Sequence, residues 1–162
     1  MFSFSSKPPP DPKEQMREWE KGMRKQMREI QSQVRATERA KKKLEREVKT
    51  AVKRGNNAAI KALCKEIVHC QKSVEQLEVT KARLNSVVMQ LKQQAATVRV
   101  TGAIGRSTDI MKQMARLVNA PQLQQTMMEM AAQMQSAGLI DEMVEDAMDA
   151  IEDEDVEEEA EN

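Results

Sequence analysis

The chain has 162 residues, of which 32% are charged, 40% are hydrophobic and only 2% are aromatic. This composition is typical of long helices or a coiled coil, and it argues against a compact globule whose core is built from large rings. The formal net charge is zero, but residues 1–99 carry 23 Lys and Arg against 11 Asp and Glu, whereas residues 100–162 carry 3 against 15. Such a division indicates that the first part binds a polyanion or the acidic part.

The sequence contains no motif of catalysis or of membrane crossing. It has no glycine-rich phosphate loop and no metal-ligand spacing. Cys64 and Cys70 flank His69, but residues six apart on a helix are separated by about 9 Å and about 240°. We therefore assign both cysteines to packing, and we expect no enzymatic activity, metal or cofactor. Because no apolar run reaches the roughly 18–20 residues that span a bilayer, we expect a cytoplasmic protein that meets membranes only at their surface.

An N-terminal tail over residues 1–11 precedes the first predicted helix. Asp11 is placed to cap this helix and Pro12 to occupy its first position. Apolar positions then recur in steps of three and four up to Arg54, as expected for a helix with one buried stripe. These positions are Met16, Trp19, Met23, Met27, Ile30, Val34, Thr37, Lys41, Leu44, Val48 and Ala51.

A second helix with the same pattern follows a turn at residues 55–57. Gly55 suits the left-handed position after a helix, and an asparagine suits the cap of the next one. The second stripe comprises Ile60, Leu63, Ile67, Cys70, Val74, Leu77, Lys81, Leu84, Val88, Leu91, Ala95 and Val98. Two matched stripes joined by a tight turn predict a long antiparallel helical hairpin over residues 12–99, in which Lys41 and Lys81 are the charged exceptions.

Shorter segments follow the hairpin. Residues 100–138 are predicted to form short helices with hinges. Glycines interrupt the helical pattern after Val100, and Pro121 marks a further boundary. Between them, either Ser107 or Thr108 can cap a helix. Residues 139–151 read as a terminal amphipathic helix. Residues 152–162 are nearly all acidic and predict a disordered tail. The whole pattern is all-α.

A row of bases runs beside the apolar stripe of the first helix. It consists of Arg17, Lys21, Arg24, Arg28, Gln31, Arg35, Arg39, Lys42, Arg46, Lys49 and Lys53, of which only Gln31 is not basic. We call these eleven positions the basic row. A solvated face with salt bridges is the alternative, but such faces mix both signs of charge. The row therefore predicts polyanion binding.

An anionic membrane fits this row better than a nucleic acid. The row has no aromatic residues to stack on bases, and the sequence has no DNA-reading module. We therefore expect no nucleic-acid partner. Phe2 and Phe4 in the tail are further candidates for membrane contact, since aromatic side chains can enter the headgroup region.

Eight of the thirteen methionines lie between residues 111 and 148, on stripes that fit helix packing. They can fill a core or form a surface that repacks against several partners. A soluble coiled-coil adaptor or chaperone-like module is therefore an alternative function. A helix bundle that handles nucleic acids or histones is a third.

Several blocks of the sequence carry a resemblance to a known family. They are DPKEQMREWEKGMRKQMREI, KALCKEIV, KARLNSVVMQLKQQ, VRVTGAIGRSTDIMKQMARLVNAPQL and TMMEMAAQMQSAGLIDEMVEDAMDAIEDED. Across residues 11–161 the chain resembles the charged multivesicular body proteins, which are subunits of the third endosomal sorting complex required for transport (ESCRT-III).

The resemblance implies a non-catalytic scaffold that polymerises on acidic membranes, remodels and severs them, and serves multivesicular body formation and endosomal protein sorting. It implies homo- or hetero-polymers with other ESCRT-III subunits, including the type-two class, at endosomal membranes. The residues expected to face lipid are Arg24, Lys25, Arg28, Lys41, Lys42 and Lys43. The expected hinge residues are Gly102, Gly105, Asn119 and Pro121. The residues expected to pack on a neighbouring subunit are Leu139, Ile140, Met143, Val144, Ala147 and Ile151.

The sequence ends at Asn162, whereas family members continue to a leucine- and basic-rich helix that recruits the disassembly ATPase. Direct contact with that ATPase is therefore not expected. Because the same region contributes to autoinhibition in the family, we expect an open, elongated polymer form to be favoured.

Overall fold

The computed structural model describes residues 10–142, and the residues it describes form four helices and no strands. They are α1 (Pro12–Lys53), α2 (Asn57–Thr101), α3 (Thr108–Leu117) and α4 (Gln124–Ser136). The predicted all-α class with a long helical hairpin at its start is confirmed.

The two ends of α1 are formed by the residues that the sequence indicates. At the start, Asp11 Oδ1 accepts a hydrogen bond from the Lys13 amide at 3.2 Å, and Asp11 O accepts the first helical bond from Gln15. At the end, Gly55 has a φ of +67°. The amides of Gly55 and Asn56 donate to Val52 O and Ala51 O, each at 3.1 Å. These two bonds define a Schellman motif, which satisfies the last carbonyls of α1.

Asn56 also caps the start of α2. Its side-chain Oδ1 accepts a hydrogen bond from the Ala59 amide at 3.1 Å, which is the N-cap geometry for the third helical residue. One tight turn therefore ends α1 and starts α2, as the sequence predicts.

The described residues group into two compact units. The hairpin unit comprises residues 24–85 and contains the tight turn. Its buried apolar residues are Ile30, Val34, Ala51, Leu77 and Leu84. The other predicted stripe positions within it are half-buried. The two helices of this unit also meet where Lys81 Nζ donates to Gln31 Oε1 at 2.5 Å.

The four-helix unit comprises residues 10–23 and 86–142 of the described chain, and so contains the first turns of α1, the last turns of α2, α3 and α4. Methionines supply much of its core. The buried side chains are Met16, Trp19, Met23, Val87, Val88, Leu91, Val98, Ile110, Met114, Ala115, Leu117, Val118, Leu123, Met127, Met130, Ala131, Met134, Leu139 and Ile140. In this structure the methionine stripes of α3 and α4 therefore pack internally.

The break between α2 and α3 bears on the expected open form. An open subunit, as expected from the sequence, would have a continuous helix through residues 99–121. The structure instead ends α2 at Thr101, and Gly102 has a φ of +74° that cannot continue a right-handed helix. After the break, Ser107 caps α3 by accepting a bond from the Ile110 amide at 3.3 Å. The described form is thus not the open one, since α4 returns to bury its apolar stripe in the four-helix unit.

The segment after α4 is held close to this break. Gly138 has a φ of +82° and forms a second Schellman turn, in which the Leu139 amide donates to Met134 O at 3.0 Å. Leu139 O in turn accepts from the Ser107 amide at 2.8 Å, and Arg106 forms an ion pair with Asp141. Two residues expected to pack on a neighbour, Leu139 and Ile140, are therefore buried within their own chain. The other four, Met143, Val144, Ala147 and Ile151, lie outside the described residues.

Candidate membrane-binding surface

The basic row lies on the exposed side of α1. In the hairpin unit its exposed members are Arg24, Arg28, Arg35, Arg39, Lys42, Arg46, Lys49 and Lys53. Arg17 and Lys21, which lie in the four-helix unit, are exposed as well. The bases therefore point away from the two cores, as expected of a surface that binds an external partner.

The spacing of the row explains why it stays on one side of α1. From Arg24 to Lys53 the row advances 29 residues in eight steps, or about 3.6 residues a step, which is the repeat of an α-helix. The bases of the hairpin unit therefore follow a nearly straight line about 44 Å long at roughly 1.5 Å per residue. The neighbouring apolar stripe advances 24 residues in seven steps from Met27 to Ala51, close to the 3.5-residue repeat that packs one helix along another.

The acidic residues of the hairpin part of α1 lie outside the basic row, which therefore stays positively charged. Glu38 and Glu45 lie between the row and the apolar stripe, while Glu29 and Glu47 lie on the far side of the helix. Within the part of the chain that the structure describes, Arg28, Lys42 and Lys49 form no ion pair. These three cations are available to an anionic partner.

Gln31, the one neutral position of the row, has a structural role. It is half-buried, and its amide oxygen accepts the bond from Lys81, a charged residue within the apolar stripe of α2. A positive side chain at residue 31 would lie against the Lys81 ammonium. Both residues are exceptions to their sequence patterns, and each lies 25 residues from Asn56, so their pairing could have been inferred from an antiparallel hairpin that turns at Asn56.

The Lys41–Lys43 run does not form a single patch, because adjacent helical residues point about 100° apart. Lys42 lies in the row and Lys43 is exposed on the side away from the apolar stripe. Lys41 is half-buried in the stripe and lies 3.9 Å from Glu45. Of the three, Lys42 is best placed to meet a surface and Lys41 is worst placed.

The remaining predicted site residues are located as follows. Lys25 is exposed on α1 outside the row, while Phe2 and Phe4 lie outside the described residues. Gly102 and Gly105 lie between α2 and α3, and Asn119 and Pro121 lie between α3 and α4. All four expected hinge residues therefore occupy breaks between helices, and their role as joints stays a prediction.

Among residues 10–142, none of the four helices has an apolar stretch that could span a bilayer. Cys64 is exposed and Cys70 is half-buried, and among residues 10–142 no group of three or more His, Cys, Asp or Glu side chains could hold a metal ion.

The described residues thus define an all-helical protein with a long hairpin and an exposed row of bases on its first helix. Comparison with known proteins identifies the family. The Snf7 family model matches residues 18–162. The chain is 43% identical over 151 residues to charged multivesicular body protein 3 of Xenopus tropicalis, which covers 93% of this chain and 69% of that protein. It is 41% identical over 151 residues to charged multivesicular body protein 3 of Homo sapiens, covering 93% and 68%.

The chain therefore belongs to the Snf7 family of ESCRT-III subunits. Within that family, the sequence blocks quoted above most resemble the vacuolar protein sorting 24 type, also called charged multivesicular body protein three, and the relatives confirm this resemblance. The predicted function of the chain, that of an ESCRT-III subunit in multivesicular body formation and membrane remodelling, is confirmed.

Proposed function

We propose that this chain is a non-catalytic subunit that binds anionic membranes through the basic row and polymerises there with copies of itself or with other ESCRT-III subunits. Its place of action is the cytoplasmic surface of endosomal membranes, to which it binds peripherally. The observation that carries the proposal is the exposed line of bases on α1, at the α-helical repeat and separate from the buried stripe. Family membership supports the polymer and the other ESCRT-III subunits, with the type-two class as the expected partner.

The exposed bases of the row are numerous enough to bind the chain to an anionic membrane. Each Lys or Arg near an anionic bilayer contributes about 1 kcal/mol. The hairpin unit alone exposes eight bases of the row. Because the row is straight, several of its bases can contact the same flat membrane surface at once. The combined binding free energy of only some of the eight bases is therefore enough for reversible binding.

Two triple variants test the proposal: one reverses three charges within the basic row, and the other reverses three charges elsewhere in the hairpin unit. The row variant is Arg28→Glu, Lys42→Glu and Lys49→Glu. The matched control is Lys61→Glu, Lys65→Glu and Lys72→Glu, which reverses three exposed lysines of α2 in the same unit. Sedimentation with vesicles containing phosphatidylserine, and with neutral vesicles, measures binding, while circular dichroism checks helicity.

The row variant should lose binding to anionic vesicles, the control should keep most of it, and neither protein should sediment with neutral vesicles. Equal loss in the two variants would mean that net charge matters and the row does not. Binding retained by the row variant would refute the lipid-facing row and leave the soluble adaptor as the better function.

The proposal includes a change of conformation during assembly. Gly102, Gly105, Asn119 and Pro121 act as joints, and the Leu139–Ile151 segment packs across the hairpin of a neighbour. Because Leu139 and Ile140 are buried within their own chain in the described form, assembly in this way requires their release. The expectation about the disassembly ATPase stays a prediction.

A further inference from the structure

Gly22 differs from the other glycines of the described chain because it alone lies inside a helix. Gly55, Gly102 and Gly138 have positive φ values and end helices, and Gly105 lies in the break before α3. The φ of Gly22 is not positive, so its backbone would accept any L-residue. A glycine within a helix nevertheless costs roughly 0.5–1 kcal/mol relative to alanine. Some other requirement must therefore favour glycine here.

That requirement is space for α4. A Cβ atom added to Gly22 would lie 2.7 Å from Met130 Cε, well inside the contact distance of two carbon atoms. Met130 is buried on α4. One turn earlier on α1, the indole Nε1 of Trp19 donates to Gln133 Oε1 at 3.2 Å. A step of three residues forward on α1, from Trp19 to Gly22, thus corresponds to three residues back on α4, from Gln133 to Met130. The first turns of α1 and α4 therefore run antiparallel.

We propose that Gly22 and Met130 form a docking notch that holds α4 on α1 and so restrains assembly. The docked form buries three side chains of α1 (Met16, Trp19 and Met23) and three of α4 (Met127, Met130 and Met134). While they are covered, none of them is available to another subunit. The inference rests on the proposed function for the role of assembly, but the docking contact itself can be measured without membranes.

Glycine at residue 22 favours the docked form over any form in which α4 has left α1. In an undocked form a larger side chain would only improve the helix propensity of α1. In the docked form the same side chain meets Met130. Since the thioether end of Met130 is flexible and can move away from a single methyl group, the informative change is Gly22→Leu, not Gly22→Ala.

The buried indole provides a direct probe of docking. Trp19 is the only tryptophan of the chain and is 2% exposed. The experiment compares the full chain with Gly22→Leu, measuring acrylamide quenching of Trp19, hydrogen exchange of the α4 amides, and self-association in solution by analytical ultracentrifugation. We expect Gly22→Leu to increase quenching, to lower α4 protection by about tenfold or more, as overpacking of one buried contact implies, and to self-associate at lower concentration.

Two variants separate the notch from general disruption. Ala36→Leu adds the same side chain to an exposed position of α1 and should change none of the three measurements. The double variant Gly22→Leu with Met130→Ala exchanges bulk between the two helices and should restore most of the Trp19 and α4 protection. Circular dichroism should show similar helicity for all of them.

Three outcomes would overturn the inference. They are unchanged α4 protection in Gly22→Leu, lost protection that the Met130→Ala change does not restore, and lost protection without stronger self-association. None of these measurements uses vesicles. A failure of the notch is therefore distinct from a failure of the lipid-facing row, which the charge reversals on α1 test.

Discussion

At the residue scale, helix ends were the most predictable part of this chain. Gly55 and Asn56 have few alternatives to their observed roles, because a left-handed position favours glycine and a helix start favours a short side-chain acceptor. Both residues form the predicted hydrogen bonds. Such signals can be read from sequence because they depend only on neighbouring residues.

The two adjacent asparagines provide an internal control for the cap. Asn56→Ala removes the acceptor of the Ala59 amide and should lower the free energy of unfolding of the hairpin by about 1 kcal/mol. Asn57 is the first residue of α2, so Asn57→Ala should be close to neutral. Urea denaturation followed by circular dichroism measures both, and equal effects would contradict the assignment of the cap.

Residues that act across long sequence distances were not predictable. The Trp19–Gln133 hydrogen bond and the approach of Met130 to Gly22 join positions more than a hundred residues apart. Gln133 lies in a stretch rich in glutamine, and nothing local distinguishes it from its neighbours. Gly22 did carry a signal, since a glycine within a strong helical pattern calls for a packing reason.

At the element scale, the two apolar stripes of the hairpin were predicted position by position. Every residue of both stripes is buried or half-buried. Two residues that the pattern omitted are buried as well: Val87 on α2 is fully buried, and Gln26 on α1 is 7% exposed. From Met16 the stripe of α1 advances by three residues to Trp19, by four to Met23 and by four again to Met27. A regular heptad would alternate steps of three and four, so the second step of four shifts the register of the stripe. Gln26 occupies the position that the uninterrupted heptad would have used.

The break between α2 and α3 contains two glycines, Gly102 and Gly105, and we expect them to differ in how well they tolerate substitution by alanine. Gly102→Ala places a Cβ at a φ of +74°, so it should destabilise the described form by roughly 1–2 kcal/mol. At Gly105 the φ is not positive, and an added Cβ would meet only Gln94 Oε1 at 3.8 Å. Gly105→Ala should therefore be tolerated.

Hydrogen exchange of the α3 amides distinguishes the two substitutions. Gly102→Ala should lower the protection of α3, whereas Gly105→Ala should leave it nearly unchanged. Similar protection in both variants would show that the left-handed residue does not hold the break in place.

At the scale of the whole molecule, the division of charge and the family were evident from the sequence, but the conformation was not. The open form was favoured from the family pattern and from where the sequence ends. The described form instead packs α4 on α1. The same apolar stripe can bury itself within one chain or against another, so periodicity alone does not choose between these arrangements.

Binding through the basic row should depend strongly on salt. The Debye length falls from about 10 Å at 0.1 M salt to about 3 Å at 1 M, so exposed bases lose their attraction to the bilayer as the ionic strength rises. Sedimentation with phosphatidylserine vesicles should decline steadily between roughly 0.05 and 0.5 M salt. Binding that persists unchanged at high salt would indicate apolar insertion instead.

The most direct test of the central claim asks which side of α1 meets the lipid. Ser32 and Gln33 are adjacent and exposed, but Ser32 lies between Arg28 and Arg35 on the helix surface, whereas Gln33 lies between Glu29 and Ala36. A fluorophore attached to a cysteine at either position, with Cys64 and Cys70 replaced by serine and alanine, samples the two sides without removing a base. On anionic vesicles that carry a quencher in their headgroups, the probe at residue 32 should be strongly quenched and the probe at residue 33 much less. Equal quenching, or stronger quenching at residue 33, would contradict a membrane contact made by the basic row.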